Sequence, residues 1–290
     1  GSAKLDIYKK GGDSLMGRYF LYRAHPLSVA ELIRVNLATT PLSEPKKISD
    51  NKFNALFEFG GFPEPFLQQN KSFSIRWQRL RFHQLFKEEI REVSQIQEIA
   101  QMELLANLLK NQIGAQTKFS ELAKKARIAD TTCRRWIHEL ESFYFCFSVK
   151  PWHKNITRSL IKEPKYYLWD WSLVSDYGAK CENFVASHLL KAVHFWSDFG
   201  LGDYDLYYLR DKDKNEVDFL ITQNGDPWML LEVKASSKSS LNKNLLYFQK
   251  QLKVKHVLQL AMDLEYGDYD CFSFTEPKIV SMKTFLSQLI

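Results

Sequence analysis

The sequence lacks a phosphate-binding glycine loop. No Gly-x-x-x-x-Gly-Lys-Ser/Thr pattern occurs among its 290 residues, and Gly200-Leu201-Gly202 lacks the further glycine of a dinucleotide fingerprint. Without that loop, the backbone N–H groups and the lysine that cradle the phosphates of ATP are missing. We therefore expect this chain by itself neither to bind ATP tightly nor to hydrolyse it.

Cysteines are few, and long apolar runs are absent. No apolar run approaches the ~20 residues of a membrane span, and the start shows no signal-peptide pattern. The cysteines have no C-x-x-C spacing, which indicates reduced thiols rather than a zinc site. They are Cys133, Cys146, Cys181 and Cys271. We expect a cytoplasmic protein that does not associate with membranes. The sequence shows no Ser/His/Asp or Cys/His pattern typical of nucleophilic catalysis.

The composition is that of an ordinary globular protein, with 45% hydrophobic and 26% charged residues. The length predicts two or three domains. The formal net charge is +6, and residues 101–160 hold ten Lys and Arg against five Asp and Glu. Such a local basic surface is compatible with nucleic acid. A lysine-rich, solvated face explains the charge equally well.

Two apolar, β-branched runs predict a hairpin. They are Asn215–Ile221 and Leu230–Lys234, and Gln223–Asp226 between them has the composition of a turn. Residues two apart in a strand share a face, so Glu232 and Lys234 project together, as do Glu216 and Asp218. If the register sets Asp218 opposite Glu232, two carboxylates and one ammonium converge.

Two such carboxylates suit Mg²⁺ or Mn²⁺, which prefer hard oxygen ligands. A lysine beside them can orient a water molecule or offset charge that develops on a phosphate. The alternative is that Glu232 and Lys234 belong to a solvated strand face with no chemistry.

A helix-turn-helix is predicted between residues 119 and 140. Phe119–Ala126 forms its first helix, and the second starts at Asp130 as N-cap and turns an apolar stripe inward. Strands at Phe143–Val149 and Lys165–Trp169 would add a wing around a basic loop. In a winged helix the second helix can enter a major groove. Its outward residues would be Thr131, Thr132, Arg134 and Arg135. Contact with another protein remains the alternative.

An Asp followed by a strand with Glu-x-Lys resembles the core of PD-(D/E)xK nucleases. The resemblance implies that Asp218 and Glu232 ligate the metal, to which the Val233 carbonyl could add an oxygen. Lys234 would act in catalysis. The family often adds an acid from an upstream helix, and here Glu182 is the candidate. The nucleic acid implied is DNA, with RNA left open.

The chain also resembles AAA-type ATPases that carry a C-terminal DUF4143 region. Near the start, Gly1-Ser2-Ala3-x-Leu5-Asp6 and Leu15-x-Gly17-Arg18 are similar to the end of such an ATPase domain. The resemblance makes Ser2 and Arg18 candidates for its polar sensor and phosphate-facing arginine. The match to the DUF4143-type region extends over most of the chain beyond Asn51. ATP would then bind only the parent protein, whose missing domain could also form a homo-oligomer.

Together these patterns predict an α/β protein in three parts. Residues 1–45 would be a remnant of the ATPase domain with a linker, and residues 46–164 a helical region with a winged helix-turn-helix. Residues 165–290 would form a nuclease-like mixed sheet flanked by helices. Three functions stay open: a metal-dependent nuclease, an inactive DNA- or protein-binding arm, and a regulator of ATPase assembly.

Overall fold

The computed structural model describes residue 20 and residues 22–91, 96–153 and 163–290. Ser2 and Arg18, the positions tied to the ATPase resemblance, lie outside the described residues. Most of the basic loop expected between the two wing strands lies outside them as well, at residues 154–162. The expected remnant at 1–45 is therefore described only in its second half.

The N-terminal part of the chain is helical, as predicted. Its helices are α1 (Asp50–Phe59), α2 (Pro63–Gln68), α3 (Lys71–Gln84), α4 (Ile99–Lys110), α5 (Phe119–Ala126) and α6 (Asp130–Ser142). Helix α3 continues into a π-helical turn at Leu85–Ile90, where the buried face begins. Helix α3 itself buries only Ser74 and leaves Ile75 and Leu80 at least half exposed.

A seven-stranded mixed sheet follows, with the strand order β2-β1-β3-β4-β5-β6-β7. The strands are β1 (Cys146–Pro151), β2 (Lys165–Leu168), β3 (Tyr204–Arg210), β4 (Glu216–Gln223), β5 (Asp226–Lys234), β6 (His256–Ala261) and β7 (Lys278–Ser281). The remaining helices are α7 (Tyr177–Asp198), α8 (Lys243–Leu252) and α9 (Met282–Ser287). This arrangement confirms the predicted mixed sheet with flanking helices. No helix in the described ranges combines the length and apolar character needed to cross a bilayer.

The two strands expected as a wing are also the edge of this sheet. Strands β1 and β2 pair antiparallel, with Cys146 opposite Leu168. Strand β1 then pairs parallel with β3 through Lys150 and Tyr207, so the sheet continues across the boundary placed at residue 165. In α6 the cap is Ala129, and Asp130 occupies the first turn rather than the N-cap.

Apolar side chains cover the sheet on both faces. On one face, Phe184 and Leu189 of α7 belong to the same buried cluster as Phe219 and Leu231 of the sheet. On the other, a second cluster joins residues of α8 to alternate sheet positions. Its members include Leu245 and Phe248 of α8 with Val217, Leu220 and Leu230. The central strands β4 and β5 therefore lie between two helices, which explains why both read as nearly continuous apolar runs.

The β4–β5 hairpin is confirmed, and its register depends on the turn and on a bulge beside the turn. Asn224 and Gly225 connect the strands with positive φ angles of 52° and 86°, which a two-residue hairpin turn of type I′ requires. The turn sets Thr222 opposite Pro227, and a bulge at the next position of β5 shifts the ladder by one residue. Leu220 therefore pairs with Leu230 and Phe219 with Leu231. Asp218 and Glu232 are the next two residues beyond that last pair, so the register brings them to the same end of the hairpin.

A buried amide completes the outer edge of β2. The side chain of Asn183, fully buried in α7, accepts a hydrogen bond from the Leu168 N–H and donates one to the Leu168 carbonyl, each 2.8 Å long. Because backbone groups buried without partners are costly, this amide takes the place that a further strand would occupy. It also holds α7 against the edge of the sheet.

We expect Asn183→Ala to lower the free energy of unfolding by about 2–4 kcal/mol. The Leu168 N–H loses its partner, and the Leu168 carbonyl keeps only a 3.5 Å hydrogen bond from the Ser187 hydroxyl. Urea unfolding followed by circular dichroism measures the change. The matched control is Asn107→Ala, since Asn107 lies exposed on α4 and bonds only to its own helix. Equal stability of the two variants would contradict the role assigned to Asn183.

Candidate functional site

The structure brings the four predicted catalytic residues to one cleft. Asp218 lies near the start of β4, Glu232 and Lys234 lie at the end of β5, and Glu182 lies in the second turn of α7. The side chains of Asp218 and Glu182 are 15% and 19% exposed, and Glu232 is 4% exposed as a residue. The acid groups are thus mostly shielded from solvent, whereas the Lys234 side chain is 36% exposed.

Asp218 sits at an irregularity in its strand. Tyr207 pairs with Leu220, but Leu209 pairs with Val217, so β4 has one residue more than β3 in this stretch. Such a bulge bends a strand and redirects side chains. The Asp218 side chain accepts a hydrogen bond of 2.9 Å from the Val233 N–H of the neighbouring strand β5. Val233, predicted to offer its carbonyl to a metal, thus contributes its amide to Asp218.

Glu232 has one carboxylate oxygen bonded and one bare. Its Oε1 accepts hydrogen bonds of 2.6 Å from Lys234 Nζ and from the side chain of Asn242, the N-cap residue of α8. Its Oε2 is buried and has no hydrogen-bond partner among the described residues. A buried carboxylate oxygen without a partner is costly, so a further donor or cation would stabilise it.

Lys165, which the sequence analysis did not select, stands among the other acids. Its ammonium lies 2.7 Å from Glu216 Oε1, 3.4 Å from Glu182 Oε1 and 3.9 Å from Asp218 Oδ1. The residue is only 2% exposed and begins β2, far from the hairpin in sequence. The available signal was a charged residue at the head of the apolar run Lys165-Tyr166-Tyr167-Leu168.

Glu182 is held on several sides. The Tyr167 hydroxyl donates a 2.6 Å hydrogen bond to the same oxygen that faces Lys165. The backbone of Gly114 approaches from the helical part of the chain, so closely that a Cβ there would lie 2.9 Å from each carboxylate oxygen. Gln116 of the same segment donates to the Tyr208 hydroxyl at 2.9 Å. The segment after α4 thus lies directly against the acid cleft.

The charges of the cleft act strongly on one another. Burial, followed by the charges of Glu182 and Glu232, raises the pKa of Asp218 well above its ordinary value. Burial also raises the pKa of Glu182, although Lys165 and Tyr167 oppose it. For Glu216 burial acts in the same direction, but Lys165 and Arg210 outweigh it and its pKa falls. A cation placed near Asp218 would relieve this repulsion.

The donor chemistry suits a hard divalent cation. Asp218 and Glu232 offer carboxylate oxygens, and the unpaired Glu232 Oε2 is the type of ligand that Mg²⁺ and Mn²⁺ accept. Within the described ranges, no three His, Cys, Asp or Glu side chains are already grouped to hold a metal ion. The carboxylates form two groups. Glu182, Glu216 and Asp218 surround the Lys165 ammonium, and Glu232 pairs with Lys234.

The predicted nucleic-acid contacts lie on the outer face of α6. Thr131, Arg134 and Arg135 are exposed and Thr132 is half-buried, whereas Cys133, Trp136, Ile137 and Leu140 are buried. Arg134 is engaged within the chain. It forms a 2.8 Å ion pair with Asp130, and its guanidinium lies 4.1 Å from the centre of the Phe119 ring.

Comparison with protein families divides the chain in two. Residues 177–275 match DUF4143, a domain of unknown function, which confirms the presence of that domain. The match begins much later than Asn51, and residues 50–179 match a different domain of unknown function, DUF8612. The predicted residues of the acid cleft lie in the DUF4143 domain, whereas Lys165 and the segment that contains Gly114 lie in the DUF8612 match.

Two curated mycobacterial proteins are similar to the chain. They are the uncharacterized protein Rv2008c of Mycobacterium tuberculosis and the uncharacterized protein Mb2031c of Mycobacterium bovis. Each is 23% identical over 260 residues, which cover 84% of this chain and 53% of the relative. The chain therefore spans about half the length of these relatives. No solved structure matches the chain.

The contact between Gly114 and Glu182 gives a test of how tightly the cleft is built. We expect Gly114→Ala to lower the free energy of unfolding by about 1–3 kcal/mol more than Gly200→Ala, because the added methyl group must displace Glu182. Gly200 is the matched control: its φ of +72° resembles the +75° of Gly114, but nothing lies within 4 Å of a Cβ there.

Urea unfolding measures both substitutions, and the comparison is repeated with Glu182→Ala present. The excess cost of Gly114→Ala should then disappear, since the two side chains no longer collide. An excess cost that persists without the Glu182 carboxylate would show that the glycine is required for another reason.

Proposed function

We propose that the acid cleft at the end of the β4–β5 hairpin is a divalent-metal-dependent nuclease site of the PD-(D/E)xK type. The observation that carries the proposal is the pairing of a raised Asp218 pKa with the buried, unpartnered Oε2 of Glu232. Both features describe acid groups that a bound cation would stabilise. Lys234, 2.6 Å from Glu232, supplies the third group that the nuclease resemblance implies.

Each residue has a distinct role in this proposal. Asp218 and Glu232 would hold Mg²⁺ or Mn²⁺ together with the Val233 carbonyl, and the bound ion would act as a Lewis acid on the scissile phosphate. Lys234 positions a water molecule or offsets the negative charge that develops on the phosphate. Glu182 shapes the charge around Asp218. The burial of the cleft strengthens each of these interactions, since water screens them less.

The chain would carry out this activity as part of a larger protein. We propose that it is the C-terminal region of a cytoplasmic AAA-type ATPase, with ATP bound by the parent and DNA as the substrate. The greater length of the two mycobacterial relatives supports a parent protein with further regions. RNA as a substrate and a homo-oligomer through the ATPase domain remain open within the proposal.

The nuclease proposal predicts metal-dependent cleavage that single substitutions abolish. With Mg²⁺ or Mn²⁺, purified protein should cut DNA or RNA, and Asp218→Asn, Glu232→Gln and Lys234→Ala should each lower the rate by about 100-fold or more, as loss of charge stabilisation at a phosphate does. The assay uses single- and double-stranded substrates and is resolved on denaturing gels.

The matched control is Asp226→Asn, which removes the same charge from the same hairpin. Asp226 is exposed and begins β5 at the end remote from the cleft. Its rate should equal that of the unsubstituted chain. No cleavage of any nucleic acid with either metal, both with and without the ATPase half, would refute the nuclease.

A second candidate function is a catalytically inactive binding arm. The favouring observation is the Lys165 ammonium, which neutralises part of the acid cluster without any metal. In that case the chain would contact DNA or a protein through the outer face of α6. The exposed positions of Arg134 and Arg135 support the first of these partners.

Salt dependence tests the DNA contact. Each phosphate contact contributes about −0.9 to the slope of log affinity against log salt on duplex DNA. Replacing Arg134 and Arg135 by Ala should weaken binding and make the slope shallower by up to about 1.8, as fluorescence anisotropy can measure.

The matched control replaces Arg76 and Arg79 by Ala, a pair exposed on α3. This control should leave the slope nearly unchanged. An identical loss in both double variants would indicate attraction by net charge alone, and no loss in either would favour a protein partner for α6.

A further inference from the structure

The charge balance of the cleft depends on a lysine outside the nuclease pattern. Lys165 contacts carboxylates from two different elements, Glu182 of α7 and Glu216 of β4, and also lies 3.9 Å from Asp218. Burying an ammonium is costly, and only close, opposite charges make it tolerable. The three carboxylates therefore form a cation site, which the chain fills with its own lysine.

The contacts of Lys165 are unequal. Glu216 is the nearest carboxylate, at 2.7 Å, whereas Glu182 and Asp218 lie 0.7 and 1.2 Å further away. Glu216 also pairs with Arg210, which raises its tendency to stay charged beside Lys165. If another cation entered the cleft, Lys165 could remain paired with Glu216 while Glu182 and Asp218 bound the second cation.

At the Glu232 side of the cleft, a buried carboxylate oxygen is available for such a cation. Glu232 bonds to Lys234 and Asn242 through one oxygen and leaves its buried Oε2 unpaired. Its charge acts on Asp218, so the two carboxylates are electrostatic neighbours. Asp218 is thus close to the Lys165 ammonium and is also affected by the charge of Glu232.

We propose that Lys165 is a built-in counter-ion that competes with a divalent metal ion for Asp218 and Glu182. It holds the acid cleft together when no metal is bound, and it weakens metal affinity until the metal takes over these two carboxylates. The inference rests on the proposed metal site but assigns a residue that the nuclease pattern does not include. It makes Lys165 a positioning residue rather than a catalytic one.

The experiment replaces Lys165 by Met and measures thermal unfolding with and without Mg²⁺ or Mn²⁺. Without metal, Lys165→Met should unfold at a lower temperature, because Glu182 and Asp218 lose the ammonium beside them, while Glu216 keeps Arg210. Metal should raise its unfolding temperature more than it raises that of the unsubstituted chain. Its affinity for Mn²⁺, measured by calorimetry, should increase on the order of tenfold or more, because a charge close to the site is removed.

Two control variants separate competition from general destabilisation. Lys191→Met removes a lysine that is 9% exposed and pairs with Glu31 outside the acid cluster, so metal should not restore its stability. Lys165→Arg keeps the charge and should bind Mn²⁺ as the unsubstituted chain does. Equal metal stabilisation of Lys165→Met and Lys191→Met, or unchanged Mn²⁺ affinity in Lys165→Met, would overturn the proposal.

Lys165→Gln provides a second neutral variant in case Lys165→Met does not fold. If neither variant folds even with Mn²⁺ present, the proposal also fails, because a metal able to replace the ammonium should restore the cleft. The outcomes differ from those of the nuclease test. Tighter Mn²⁺ binding without any cleavage would retain the counter-ion and reject the nuclease, whereas cleavage with unchanged Mn²⁺ affinity would do the reverse.

Discussion

Four carboxylates share one cleft, and neutralising them is the constraint on which the surrounding structure depends. Glu182, Glu216, Asp218 and Glu232 come from a helix and two strands, and three basic side chains contact them: Lys165, Lys234 and Arg210. Like charges this close and this buried would separate without such partners. The elements that carry the basic groups, β2, β3 and β5, must therefore meet at one place in the sheet.

This requirement ties the helical part of the chain to the sheet. Lys165 reaches the acids because β2 pairs with β1, which itself extends the main sheet through β3. The segment that follows α4 then closes over the cleft with Gly114 against Glu182. The two matched domains, DUF8612 and DUF4143, consequently share the cleft between them.

The mixed α/β architecture was predictable because its signals are local. Apolar runs, the Asn-Gly turn and the apolar stripe of α6 each depend on residues close in sequence, and the structure has all three. Alternation along a strand likewise predicted that Glu232 and Lys234 would neighbour each other. Burial was harder to predict, since α3 buries only Ser74 and leaves Ile75 and Leu80 exposed.

Contacts between segments far apart in the chain could not be predicted from the sequence. The sequence by itself determined the hairpin and the strand faces of its acids, since the turn and the period of two depend on about twenty residues. The register also depends on a bulge in β5 beside the turn. Only the tertiary structure decided that Lys165, Tyr167 and Gly114 would meet Glu182, because sheet order and the docking of α7 depend on the whole core. Those long-range contacts place the buried Lys165 ammonium among the carboxylates of the cleft.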